Sequence, residues 1–366
     1  MTESPPFWLY LVGFILMLGP LVVLHELGHY LVGRWFGVGA EAFSVGFGKE
    51  IAGYTDKRGT RWKLSMLPLG GYVQFKGDMN PASVPDPDHP AEPDAFQTKA
   101  LWKKALIVAA GPVTNLLIAV LILFAFVMVA GKPVTPPVVA DFSEDSPALA
   151  AGMQQGDRIL SVDGDAVEDF MDVRGYVYAW PGRTIDVEVE RDGRELTLPV
   201  TIAVEETEDR FGNRSTIGLI GIYSVPGERV EVGPIEGLGV AVGETYSIFD
   251  MMVTGIGQII MGERSVKELG GPISMAKYSG EQLSLGWPEF TFFVALISLN
   301  LAFINLLPIP ALDGGHLAFY AVEAIRRKPA SARSQELAFR TGMAIVLALM
   351  LFVTIIDIAK LPIFGS

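Results

Sequence analysis

The sequence predicts a polytopic α-helical membrane protein with a small α+β domain inserted between its second and third spans. Three observations predict it. Of the 366 residues, 50% are hydrophobic and the mean hydropathy is +0.38, too apolar for an ordinary soluble enzyme. Four segments, 7–32, 105–130, 287–307 and 341–358, are long and apolar enough to cross a bilayer. Between the second and third lies a stretch of alternating apolar and polar residues punctuated by Gly turns, the pattern of short strands. The expected architecture is about four transmembrane helices, a membrane-associated β-hairpin and an extracytoplasmic domain.

The elements follow in order. Residues 1–37 hold the first transmembrane helix. It lacks a basic leading region and runs on without a small-residue cleavage site, so it does not read as a removable signal peptide. Residues 38–100 form a cytoplasmic-side loop, within which 79–94 is rich in Pro and Asp and reads as a flexible loop, with His89 an ordinary solvated residue. The second transmembrane helix occupies 101–131. A compact domain follows at 134–223. Residues 224–286 form an extracytoplasmic or interfacial helical region, in which 238–260 carries Glu244 and Asp250 and reads as an amphipathic helix. The third transmembrane segment, 287–316, a cytoplasmic loop, 317–340, and a fourth helix, 341–362, complete the chain.

Basic residues orient the spans. Lys49, Lys57, Arg58, Arg61, Lys63, Lys76, Lys99, Lys103 and Lys104 lie between spans one and two, and Arg326, Arg327, Lys328 and Arg333 between spans three and four. Both loops are expected in the cytoplasm, with 131–286 and both termini outside. Spans one and three then run in the same direction. The net charge of −13 argues against nucleic acid as a partner. The absence of cysteine excludes disulfides and thiolate metal sites.

The first span contains "LVVLHELGHYLVGRW", residues 21–35. Two histidines and a glutamate are costly in an apolar setting unless they have partners. His25 and His29, four residues apart, share one helix face and can bind one Zn²⁺, with Glu26 beside them as general base. His25 lies 18 residues beyond Phe7, about 27 Å along a helix, which places it toward the cytoplasmic side. A catalytic zinc needs a third protein ligand and one open position. The third span ends in "NLAFINLLPIPALDGGH", residues 300–316, where Asp313 and His316 are rival candidates. Pro308 and Pro310 would break the helix there, and Gly314 and Gly315 would allow close backbone approach.

Further on, "KLSMLPLGGYVQF" (63–75) suggests a hairpin at Gly70–Gly71. "DSPALAAGMQQGDRILSVDGDAV" (145–167) reads as helix, turn, strand and Asp-Gly turn, followed by the strands of "TIDVEVERDG" and "RELTLPVTI". The region 134–223 looks like a bacterial PDZ domain, a fold that can take a peptide by strand addition.

With HELGH at 25–29, "GPVTN" at 111–115, "ELGGPISMAK" at 268–277 and "NLLPIPALDGG" at 305–315, the chain resembles the bacterial site-2 protease family, the M50-type RIP intramembrane zinc metalloproteases typified by RseP. The resemblance spans nearly the whole sequence. It implies zinc held by His25, His29 and Asp313, with water activated by Glu26, and so favours Asp313 over His316. It implies a substrate contact at Asn305 and a membrane-embedded hairpin near the zinc, whose Gly70, Gly71 and Tyr72 would meet the unwound substrate. It also implies regulated intramembrane proteolysis in the bacterial inner membrane. The substrates would be single-span proteins already trimmed outside, such as anti-sigma factors or remnant signal peptides. The alternative is an inactive membrane scaffold that recruits partners through its PDZ domain.

Overall fold

A computed structural model describes residues 5–77, 92–208, 214–262, 266, 270–328 and 331–359. The Pro- and Asp-rich stretch, with His89, lies mostly outside the described residues. Those described fall into two compact units, the chain passing from the first to the second at Leu123/Phe124 and back between Leu269 and Gly270, with Ala359 counted in the second.

In the first unit, helix α1 (Phe7–Trp35) buries Gly13, Met17, Leu21, His25, Gly28 and His29. That spacing of three and four residues is one stripe of a helix, so the fold that hides Met17 and Leu21 also hides both histidines. Phe7, Trp8, Leu11, Leu16 and Leu31, off the stripe, are exposed, as suits a helix whose other face meets lipid. Strands β1 (Ala40–Thr55) and β2 (Arg61–Phe75) follow, then helix α2 (Leu101–Ala130), whose first 23 residues belong to this unit.

The hairpin differs from the sequence expectation. Its turn is at Asp56–Thr60, where the Asp56 carboxylate accepts from the Arg58 and Thr60 N–H groups. Gly70 and Gly71 lie inside β2 instead. The physical reason is that β2 is folded around β1: Phe43, Ser44 and Val45 pair with Val73, Tyr72 and Gly71 on one flank and with Trp62, Lys63 and Leu64 on the other. To pass from one flank to the other the strand must bend. Gly70 takes φ +140° there, and a side chain at Gly71 would collide with the Ser44 carbonyl. Residues 71–75 are thereby left as an edge segment that packs beside α1.

The second unit contains β3 (Lys132–Val134), β4 (Val139–Phe142), α3 (Pro147–Ala150), β5 (Arg158–Val162), β6 (Asp165–Ala166), α4 (Phe170–Ala179), β7 (Thr184–Arg191), β8 (Arg194–Thr201), β9 (Ala203–Glu208), β10 (Arg214–Leu219), β11 (Ile222–Ser224), β12 (Glu228–Val230) and α5 (Pro234–Met261). Its main sheet has the order β6-β5-β7-β8. Strand β7 buries Ile185, Val187 and Val189 and exposes the residues between them, the period-2 pattern of a half-buried strand. Asp163–Gly164 and Asp192–Gly193 all have positive φ, as tight hairpin turns require. Asp169 caps α4, with Asp172 reaching back to complete a capping box. The stretch 238–260 is part of one continuous helix, α5.

The chain returns to the first unit with α6 (Pro272–Leu285), α7 (Trp287–Leu306), α8 (Asp313–Arg326) and α9 (Ala332–Ala359). Among the described residues, α1, α2, α7 and 333–359 of α9 are the four helices long and apolar enough to span a membrane. Helix α6 packs tightly on α1, where a Cβ on Gly13 would stand 2.8 Å from the Ser279 backbone. Its N-terminus is capped from α9: the buried Asp357 carboxylate accepts from the Gly271, Ile273 and Ser274 N–H groups at 3.1, 3.0 and 3.0 Å and from Ser274 Oγ at 2.7 Å. That bond set satisfies donors that a helix start leaves open.

Candidate metal centre

Helix α7 stops at Leu306, and the chain crosses Pro308 and Pro310 in irregular backbone before α8 begins at Asp313. Proline cannot continue a helix ladder, so the break is written in the sequence. The break folds tightly because Gly314 and Gly315 press against the carbonyls of Leu306, Leu307 and Ile309, while Gly342 of α9 lies against Pro310. Asp313 is thus held in the first turn of a helix, where a carboxylate is favoured by the exposed N–H groups.

This geometry brings Asp313 to the two histidines of α1. Asp313 Oδ2 lies 3.1 Å from His25 Nε2 and 3.6 Å from His29 Nε2. The two Nε2 atoms are 3.1 Å apart. Ligand atoms about 2.0–2.1 Å from a tetrahedral zinc stand about 3.4 Å from one another, so these separations suit one shared ion. Among the described residues, His25, His29 and Asp313 form the only group of three or more such side chains that could hold a metal. His316 is not a member.

Helix α2 completes the setting. The Ile107 carbonyl accepts from His29 Nδ1–H at 2.8 Å, and since a carbonyl can only accept, the Nε2 lone pair of His29 is left facing Asp313. Gly111, one turn on, has no side chain where one would matter most. A Cβ there would stand 2.6 Å from His25 Nε2 and nearer still to His29 Nε2. Asn115, another turn on, sets its amide 3.2 Å from His25 Nδ1. A space beside both imidazole nitrogens that a single methyl group on Gly111 would intrude upon, with the Asp313 carboxylate within 3.1 and 3.6 Å of those nitrogens, fits zinc in donor chemistry.

Glu26 is turned to the hairpin: its Oε2 accepts from the Val73 N–H at 3.0 Å. Tyr72, the preceding residue, stacks on Phe47. Asn305 sits half-buried in the last turn of α7 and, among the described residues, joins none of the hydrogen bonds around the cluster. Sequence reasoning missed Ile107, Gly111, Asn115 and Val73 as parts of the site. The signal for three of them was present as spacing: 107, 111 and 115 form one helical stripe within and beside the "GPVTN" motif. Val73 acts through its backbone and leaves no signal.

Comparison with known proteins gives four findings. The model of "Peptidase family M50" matches residues 13–349. "Putative zinc metalloprotease Atu1380" of Agrobacterium fabrum is 46% identical over 362 residues, covering 96% of each chain. "Metalloprotease MmpA" of Caulobacter vibrioides is 35% identical over 390 residues, covering 98% of this chain and 97% of that one. Among solved structures, the PDZ domain of an SdrC-like protein from Listeria monocytogenes matches 24% of this chain and 85% of its own at 22% identity, with a TM-score of 0.20, too slight a likeness to argue from.

Proposed function

The chain belongs to peptidase family M50 and is a zinc metalloprotease of the membrane, and from that premise we propose that it hydrolyses peptide bonds within the transmembrane segments of other proteins, with zinc held by His25, His29 and Asp313. The observation that carries this reading is the meeting of a carboxylate from the α7–α8 break with both imidazoles of a spanning helix. His25, His29 and Asp313 would hold the zinc, which when bound would supply an acidified water and a polarised scissile carbonyl. Glu26 takes the water proton and delivers it to the leaving amide nitrogen as the peptide bond breaks. Ile107 keeps His29 in the tautomer that presents Nε2.

A transmembrane helix has its amides bonded internally and must be unwound before attack. The edge segment 71–75 offers replacement partners by strand addition, with Gly70, Gly71 and Tyr72 at its start and Asn305 as a further substrate contact. Phe47, Ile51, Tyr54, Leu64, Met66 and Leu67 of the hairpin are all exposed, which supports its lying in lipid rather than in water. Region 134–223 is read as a PDZ domain that takes a peptide ligand by strand addition, on the strength of its strand and helix order. The positive loops support placing the zinc site toward the cytoplasm and that domain outside the bacterial inner membrane. Substrates are single-span proteins, already cut on the outer side.

The test reconstitutes the full chain and its Glu26→Gln form with a single-span reporter and measures zinc per chain and cleavage. One zinc in both forms, with cleavage by the wild type alone, is expected. Cleavage by Glu26→Gln at near the wild-type rate would remove Glu26 from its role. A wild type that binds zinc but never cuts would favour the scaffold alternative.

A further inference from the structure

Asn115 is fully buried and its amide has one bond, from Nδ2 to His25 Nδ1 at 3.2 Å, with Oδ1 unpartnered among the described residues. Its backbone is fixed independently, since the Ser298 hydroxyl of α7 donates to the Asn115 carbonyl at 2.7 Å. A buried carboxamide with a single partner is costly to keep unless that partner matters. The partner is an imidazole whose other nitrogen faces Asp313 and His29.

The chemistry of that imidazole decides which end of the amide it needs. A neutral histidine that offers Nε2 to a metal carries its proton on Nδ1, and so needs an acceptor there. The nitrogen and oxygen of a carboxamide have the same shape, and a half-turn of the amide places Oδ1 on His25 Nδ1 with no other movement. His29 already has the equivalent arrangement, with the Ile107 carbonyl as acceptor. The same helix face would then orient both imidazoles, one through a backbone oxygen and one through a side-chain oxygen eight residues along.

We propose that Asn115 is a positioning residue whose carboxamide oxygen accepts from His25 Nδ1–H and holds that imidazole with Nε2 toward the metal. The proposal rests on the zinc reading above, and the test separates the two. Zinc affinity of the purified full chain is measured by chelator competition, and thermal unfolding is measured after zinc removal, for wild type, Asn115→Leu, Asn115→Asp and His25→Ala. Asn115→Leu fills nearly the same space without an acceptor and is expected to weaken zinc binding about 10–100-fold, the usual effect of losing such an outer partner. Asn115→Asp can only accept, and is expected to hold zinc at least as well as wild type. A purely structural role would lower the unfolding temperature of the zinc-free form and leave affinity unchanged. Affinity of Asn115→Leu within twofold of wild type, or a loss in Asn115→Asp equal to that in Asn115→Leu, overturns the proposal. If Asn115→Leu does not fold, the Asn115→Asp arm decides alone. Undiminished affinity in His25→Ala would instead show that the zinc reading itself has failed.

Discussion

Adding one methyl group at Gly111 should empty the metal centre while leaving the helices intact. The Cβ of Gly111→Ala would sit 2.6 Å from His25 Nε2 and closer to His29 Nε2, where ordinary carbon–nitrogen contact is about 3.5 Å or more. Helix α2 cannot easily retreat. Ser298 bonds the Asn115 carbonyl, and on the same side α2 already lies so near α1 that a Cβ on Gly28 would stand 2.6 Å from the Ala110 carbonyl. The imidazoles must therefore give way by roughly 1 Å, and a displacement of about that size in a reacting constellation costs on the order of 100-fold in rate. In free-energy terms that is about 2.7 kcal/mol of lost transition-state stabilisation. The methyl also crowds both Nε2 atoms that would hold the ion, so zinc occupancy should fall with activity. Stability should fall modestly, by about 1–3 kcal/mol for overpacking a buried site, offset in part by the better helix propensity of alanine, worth up to about 1 kcal/mol. The assay is zinc per purified chain by atomic emission, reporter cleavage and thermal unfolding on the same preparation. A Gly111→Ala chain that retains full zinc and cuts within about threefold of wild type would refute the argument that these nitrogens share an ion against α2.

Asp313→Asn should lower zinc retention through dialysis against a chelator, since a carboxylate donor becomes a weaker amide one; unchanged metal content would turn attention to His316. Asp357→Ala should lower the unfolding temperature by removing the acceptor for three α6 amides and the Ser274 hydroxyl, at a cost of about 2 kcal/mol or more, with zinc affinity measured alongside. In the second unit, burial of Asp157 works to raise its pKa, but the Arg191 guanidinium at 2.7 Å and the Gln154 N–H outweigh it and hold the carboxyl below its ordinary 3.8. A depressed carboxylate contributes stability that is present above the unfolded value and lost as pH falls through the lower folded one. Hydrogen exchange of residues 139–202 in the full chain should therefore accelerate as pH drops below about 4, beyond the intrinsic trend, and Asp157→Asn should flatten that dependence.

The four spanning helices and the histidine pair were legible because both depend on local spacing, whereas α8 fell mostly in a stretch read as a loop and α6 in a region read as extracytoplasmic or interfacial. An apolar run long enough to span, with two imidazoles at i and i+4, is visible without knowing what packs against it. The α7 break was legible for the same reason, since Pro308 and Pro310 act on their own backbone. The contribution of α2 was not. Gly111 works by lacking a side chain and Ile107 by its carbonyl, so neither announces itself, and only the packing of α2 on α1 gives them a meaning. The hairpin turn was misplaced because Gly70–Gly71 has the composition of a turn but serves a bend within a strand. The true turn, at Asp56–Thr60, depends on one aspartate that caps its own loop.

One bond ties the parts together. The general base of the proposed reaction and the edge segment proposed to hold the substrate are joined directly, since Val73 N–H donates to Glu26 Oε2. Val73 pairs with Phe43, and Phe43 is buried in the cluster with Tyr30, Phe75 and Ile107. Tyr30 lies one residue beyond His29 on α1, and the Ile107 carbonyl accepts from His29 Nδ1–H. The packed residues that fix the strand are therefore the ones that fix the ligand-bearing helix faces. A substrate strand registered on 71–75 would be registered on Glu26 by the same framework, so misplacement of the hairpin should reduce turnover by misaligning base and peptide even when zinc is fully bound. A bulky replacement at Gly71, which would meet the Ser44 carbonyl, is the variant that separates the two effects: zinc content should hold while cleavage falls. Parallel loss of zinc would mean that the strand supports the metal site itself rather than the alignment of the peptide.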